Sequence, residues 1–140
     1  MSLYLDASVV VALIIADIHS ARAEALLAQH RSLVVVSDFA AAELASTLAR
    51  RLRMGLLTPD EARTALTDFD AWASTTARRA SIRTADVGFA DGLLRRFDQP
   101  LRTPDALHLA VAFRIGATLA TFDTRMATAA RAIGINVLPA

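Results

Sequence analysis

The sequence predicts an α/β fold: a single domain over residues 1–140, with a central parallel sheet of about five strands flanked by helices. Three observations predict it. Short strand-like stretches alternate with helical ones along the whole chain, the pattern that builds parallel sheets. The stretch "SLVVVS" (Ser32–Ser37) is apolar between its serines and rich in β-branched valine, as a strand covered on both faces should be. At 140 residues the chain is long enough for one real core and too short for two domains of ordinary size, and no repeat, low-complexity tract or linker interrupts it.

Taken in order, "LYLD" (Leu3–Asp6) is a first strand and the apolar run from Ala7 to Ala16 a buried helix. That run falls well short of the ~20 residues needed to cross a bilayer. A second helix, Ser20–His30, has Ser20 as its cap and leads to the Ser32–Ser37 strand. A long helix from Asp38 to about Met54 stops at Gly55. The next starts at "TPDEA", with Thr58 as cap, Pro59 at the first helical position and acids in the first turn, and runs to about Thr75. "ASIRTA" (Ala80–Ala85) is a weak strand, followed by a helix over Asp86–Phe97 and another over Thr103–Ile115 that Gly116 closes. "TLATF" (Thr118–Phe122) is a strand, Thr124–Ile133 a helix stopped at Gly134, and "INVL" (Ile135–Leu138) a last short strand.

Composition removes several chemistries. There is no cysteine, so disulfides, thiolate zinc sites and cysteine nucleophiles are excluded. All 15 basic residues are arginine, which excludes any mechanism needing a lysine ammonium. The net charge of +1 is too small to announce nucleic-acid binding. Arginine clusters at Arg50-Arg51-Leu52-Arg53, at Arg78-Arg79 with Arg83, and at Arg95-Arg96 with Arg102 suit phosphate, and suit a solvated helix face equally well. No positively charged start precedes the first apolar run, as a secretory leader would require, and Asp6 stands there instead, so a cytoplasmic product without a membrane partner is expected. Hydrophobic residues make up 54%, above the usual ~45–50%, and some of that surplus suits a subunit interface.

The acids point to a site. In a parallel sheet, ligands bind beyond the carboxyl ends of the strands near a switch in strand order. Asp6 sits at the end of the first strand and Asp123 just after "TLATF". Asp105 lies in the first turn of its helix, where Thr103 caps, Pro104 begins and the side chain points outward. Glu43 lies mid-helix in "SDFAAAELAS"; its neighbours one turn away, Phe39, Ala40, Ser46 and Thr47, offer no basic partner. The three aspartates also suit helix caps, worth about 1 kcal/mol each; a cap does not account for Glu43. Asp60, Glu61, Asp68 and Asp70 fit caps or solvated faces, and His108, Asp38, Asp86 and Asp91 read as structural.

If the four acids converge, each pair about 4 Å apart repels by ~4 kcal/mol at an effective dielectric near 20, so protons or a cation must neutralise them. Oxygen donors without cysteine or paired histidines favour Mg²⁺ or Mn²⁺ over zinc. Ser8 and Thr121 are placed to orient Asp6 and Asp123 through their hydroxyls.

On these residues the chain resembles the PIN-domain ribonucleases, in particular VapC-type toxins of type II toxin–antitoxin systems. "YLDAS" is similar to that family's opening Asp-x-Ser, "AAAELAS" to its helical acid, "TPDALHLAVA" to its third acid and apolar helix, and "ATFDTRMATAAR" to its closing Thr-x-Asp. The resemblance covers nearly the whole chain. It implies metal-dependent cleavage of RNA by Asp6, Glu43, Asp105 and Asp123, with Ser8 and Thr121 in support. An ion on Asp6 and Asp105 would supply an activated water for in-line attack, and a second near Glu43 or Asp123 would assist the leaving oxygen, giving a 5′-phosphate and a 3′-hydroxyl. It further implies a single-stranded or looped RNA substrate, a cognate VapB-type antitoxin covering the acidic site, and a homodimer. The alternative is a PIN-like module that binds RNA or protein without cutting. Receiver domains and haloacid-dehalogenase-like phosphatases use a lysine that this chain lacks, and no Gly-x-Gly-x-x-Gly or Gly-Lys-Ser/Thr phosphate loop is present.

Overall fold

A computed structural model describes residues 1–139. Its sheet has five strands, β1 (Ser2–Leu5), β2 (Leu33–Ser37), β3 (Ala77–Ala80), β4 (Thr118–Ala120) and β5 (Val137–Leu138), all parallel, in the order β3-β2-β1-β4-β5. The helices are α1 (Ala7–Ile14), α2 (Ser20–Gln29), α3 (Asp38–Arg53), α4 (Pro59–Thr76), α5 (Thr84–Arg95), α6 (Thr103–Ile115) and α7 (Thr124–Ala132).

The two-residue period of a strand divides the core. Leu3, Leu5, Val34, Val36 and Ala120 face one side and pack with α1 to α4, where Val9, Leu44, Leu48 and Phe69 are buried. Tyr4, Val35, Leu119 and Val137 face the other and meet Leu109, Val111, Met126 and Ala129 of α6 and α7. Strand β1 is central, registered Leu5↔Val36 on one side and Leu5↔Ala120 on the other. The strand order reverses between β1 and β4, so the ends of these two strands flank the crevice where such sheets place ligands.

Helix ends follow the sequence signals. Thr58 and Glu61 form a reciprocal capping box ahead of α4, Ser37 accepts from the Ala40 N–H at 3.0 Å ahead of α3, and Gly116 closes α6 at φ 64°. Helix α2 departs from expectation: its N-cap is His19, and Ser20 Oγ accepts from the Asp17 N–H instead.

The strand expected at Ala80–Ala85 lies earlier, at Ala77–Ala80, paired Val34↔Ala77 through Ser37↔Ala80. Ile82 is excluded from the ladder because its N–H donates to the Asp38 carboxylate at 3.0 Å, and α5 begins two residues later. Asp86 therefore sits inside the first turn of α5, accepting from the Arg83 N–H at 2.8 Å, and the helix ends at Arg95, with Phe97 at φ 54°. β3 is an edge strand whose two central residues, Arg78 and Arg79, are exposed on opposite faces. That is why no apolar alternation marked it.

Helix α5 is fixed to α6 by Arg114, which donates to both Asp86 oxygens at 2.7 and 3.0 Å and to the Ser81 carbonyl at 2.9 Å, and by stacking of Phe89 on Phe113. Among the described residues, no helix is long and apolar enough to cross a membrane.

Candidate active site

The end of β1 delivers Asp6 directly into the N-cap of α1. Its carboxylate is 2% exposed. Ser8 Oγ donates to Oδ1 at 2.6 Å, Thr121 Oγ1 donates to Oδ2 at 2.5 Å, and the Val9 N–H reaches Oδ1 at 3.2 Å. Burial pushes the Asp6 pKa upward, and the Ser8 and Thr121 hydroxyls and Val9 N–H pull against it. Both hydroxyls also accept a backbone N–H from the segment after β4: Ser8 Oγ from Phe122 and Thr121 Oγ1 from Asp123, each at 3.0 Å. The two hydroxyls thus couple the buried carboxylate to the β4–α7 connection.

Asp123 stands at that connection as the N-cap of α7, with Oδ1 accepting from the Arg125 and Met126 N–H groups at 2.9 and 3.1 Å. Asp105 is also a cap, though not as the sequence implied. Arg102, not Thr103, is the N-cap of α6, and Asp105 folds back to accept the Arg102 N–H on Oδ2 at 3.1 Å rather than pointing out of the turn. The physical reason is that a third-position acid satisfies the Arg102 N–H, which lies ahead of the first turn and has no helical acceptor. Capping engages a single carboxylate oxygen in each case. Asp105 and Asp123 line one hollow of about 470 Å³ together with Pro100, Arg102, Phe122, Thr124 and Arg125.

Glu43, six residues into α3, does have a partner, supplied by another helix. His108 Nε2 lies 3.3 Å from Glu43 Oε2, while His108 Nδ1 lies 2.7 Å from the Tyr4 hydroxyl, itself 2.8 Å from Ser37 Oγ. Burial holds the Tyr4 phenol well above its usual pKa, so it remains an O–H donor. With neutral imidazole the direction of the chain follows: Ser37 donates to Tyr4, Tyr4 to His108 Nδ1, and His108 Nε2–H to Glu43. The other Glu43 oxygen, Oε1, is buried without a hydrogen-bond partner.

The structure therefore joins Asp6 to Asp123 through Thr121, places Asp105 and Asp123 on one hollow, and ties Glu43 to α6 one turn beyond Asp105. It does not gather them into one tight cluster. Among the described residues, no three Asp, Glu or His side chains stand as a ready-made ion site. The donor chemistry still fits a hard divalent cation: the oxygens are carboxylate, one is buried and unpartnered, and one carboxylate is almost wholly desolvated.

The PIN domain matches residues 3–132 of this sequence. The chain belongs to the PIN domain family. Several solved structures share the fold. VapC20 of Mycobacterium tuberculosis, a toxin that cleaves the sarcin-ricin loop, is 23% identical with a TM-score of 0.74, over 95% of each chain. FitAcB from Neisseria gonorrhoeae is 18% identical with a TM-score of 0.75, over 96% of this chain and 95% of that one. VapBC2 from Rickettsia felis, bound to a DNA fragment from their promoter, is 16% identical with a TM-score of 0.71, over 98% and 97%. No curated protein sequence matches the chain.

Within this PIN fold, Tyr4 and His108 are the residues that sequence reasoning passed over. His108 read as structural, and its 1% exposure agrees, yet it also holds Glu43. The available signal was its spacing: three residues after Asp105 on a helix, it occupies the same face.

Proposed function

We propose that this PIN-domain chain is a VapC-type toxin, a Mg²⁺- or Mn²⁺-dependent endoribonuclease restrained by a cognate antitoxin. The observation that carries the reading is the buried Asp6 carboxylate at the switch point, gripped by Ser8 and Thr121 and coupled through Thr121 to Asp123. Family membership supports it, as does the fold shared with a toxin that cleaves the sarcin-ricin loop.

In this reading Asp6, Glu43, Asp105 and Asp123 would hold the ion, which when bound supplies a more acidic water and positive charge beside the phosphate. The chain's own residues do the rest. Ser8 and Thr121 keep Asp6 from turning away, since each hydroxyl is itself fixed by a backbone N–H. The Tyr4–His108 pair keeps Glu43 Oε2 occupied and its other oxygen available. The Asp105 and Asp123 caps fix the walls of the hollow in which a phosphodiester would lie.

The competing reading, an RNA- or protein-binding module that does not cut, is favoured by the lack of a ready three-residue ion site among the described residues. Incubation with single-stranded and stem-loop RNAs, with Mg²⁺, with Mn²⁺ or with chelator, separates the two. The nuclease reading expects cleavage only with an ion, 5′-phosphate ends on the fragments, and loss of cleavage in Asp6→Asn. An inert wild-type protein that also fails to arrest growth when expressed overturns it. Growth arrest relieved by a small neighbouring reading frame would support the antitoxin, and sedimentation would test the proposed homodimer.

A further inference from the structure

A second hollow, of about 360 Å³, adjoins the first. It is lined by Arg22, Thr121, Phe122, Asp123, Thr124 and Arg131, among others, and so shares Phe122, Asp123 and Thr124 with the hollow that holds Asp105. Phe122, Asp123 and Thr124 are thus the sill that the two share. Arginines stand on both sides of it: Arg22 and Arg131 in one hollow, Arg102 and Arg125 in the other. Both volumes fall within the range of small-ligand sites, roughly 300–1,000 Å³.

These arginines are exposed, and Arg22, Arg125 and Arg131 make no ion pair among the described residues, whereas Arg102 lies 3.7 Å from the Asp105 carboxylate and Arg63, Arg95, Arg96 and Arg114 are paired with aspartates elsewhere. Arg22 is nonetheless held in place. Its guanidinium lies 5.0 Å from the centre of the Phe122 ring, and the same ring stacks on His19 at 4.7 Å. A guanidinium fixed on an aromatic ring beside an acidic site, with its donors uncommitted, is suited to an anion. The Asp123 carboxylate at the sill repels a polyanion, and unpaired positive charge on each side offsets that repulsion on either flank.

We propose that the two hollows form one groove that takes a single RNA strand across Asp123. Arg22 and Arg131 bind its phosphates on one side of the sill, and Arg125, with Arg102, binds them on the other. This rests on the ribonuclease reading for the identity of the strand, while the groove's affinity for it is a separate property. The ring of Phe122 serves to position Arg22 rather than to stack a base, because His19 already covers it.

The test uses the full chain and a short fluorescein-labelled single-stranded RNA, with chelator and no divalent ion, followed by anisotropy over a range of salt concentrations. The variants are Arg22→Ala with Arg131→Ala, Arg125→Ala, and Arg63→Ala as a control on α4. Each groove substitution is expected to weaken binding by about tenfold and to reduce the slope of log affinity against log salt by about 0.7 for each phosphate no longer engaged. The control is expected to bind as wild type. Unchanged affinity and slope in the groove variants overturn the assignment. So does intact RNA binding combined with failed neutralisation by a partner protein, which would give these arginines to that protein. A chain that binds through the groove yet never cuts overturns the nuclease reading alone, and a chain that cuts while every variant binds equally overturns the groove alone.

Discussion

Asp6 shows what a functional carboxylate costs the residue that carries it. It is almost fully buried, held by two hydroxyls and one N–H. Burial raises its pKa, so the folded state disfavours the charged form, and the resulting destabilisation is present at neutral pH and relieved as the group protonates. Asp6→Asn removes the charge, and one hydroxyl can accept from the new amide while the other still donates to its oxygen. Without divalent ions this variant is expected to be more stable than wild type by about 1 kcal/mol, read from urea midpoints, while losing cleavage. Tyr4→Phe acts in the opposite direction. It strips His108 Nδ1 of its donor and leaves Ser37 without its acceptor, and is expected to destabilise by about 1–3 kcal/mol in the same measurement. At this scale the sequence placed Asp6 between β1 and α1 and Asp123 at the start of α7, because strand ends and helix starts are readable from local pattern. It could not expose the Glu43–His108 contact, which joins residues 65 apart and exists only once the fold brings a side chain of α3 and one of α6 together from opposite faces of the sheet.

Among the elements, one ion pair ties α5 to α6 beside the stacking of Phe89 on Phe113. Asp86 is buried, which by itself would raise its pKa, but hydrogen bonds from Arg114 and from the Arg83 N–H outweigh this and hold it below the usual carboxylate value. Arg114 is correspondingly raised, chiefly by its hydrogen bonds to Asp86, and stays charged. For a carboxylate lowered in the folded state, the stabilisation is complete above the unfolded value of about 3.9 and is lost as pH falls through the folded value. Asp86→Asn is therefore expected to cost about 3 kcal/mol at neutral pH, because a partly buried guanidinium loses its counter-charge. The gap between variant and wild type should narrow in acid; an equal gap at every pH would remove this explanation. Helices with caps and glycine stops were legible nearly to the residue, as at Thr58 and Gly116. β3 was not, since a strand of two alanines and two exposed arginines has no hydrophobic period, and its position is set by pairing with β2.

For the molecule as a whole, the fold class was legible because alternation of strands and helices leaves few ways to cover a parallel sheet. The reach of the site was not, because convergence of distant acids depends on side-chain directions that periodicity does not fix. If the acids take an ion together, Mn²⁺ should raise the melting temperature of the folded chain, an increment of about 2.7 kcal/mol at a hundredfold excess over the dissociation constant. Asp6→Asn and Asp105→Asn should lose that increment, and a wild-type melting temperature indifferent to Mn²⁺ would argue against the site. The border of the sheet carries a separate consequence. Arg78 and Arg79, on opposite faces of β3, place positive charge above and below the longer of the two outermost strands, whose free backbone another chain could extend. Two such borders brought together repel, so the sheet resists the strand-by-strand stacking that leads to fibres, even in a crowded cell.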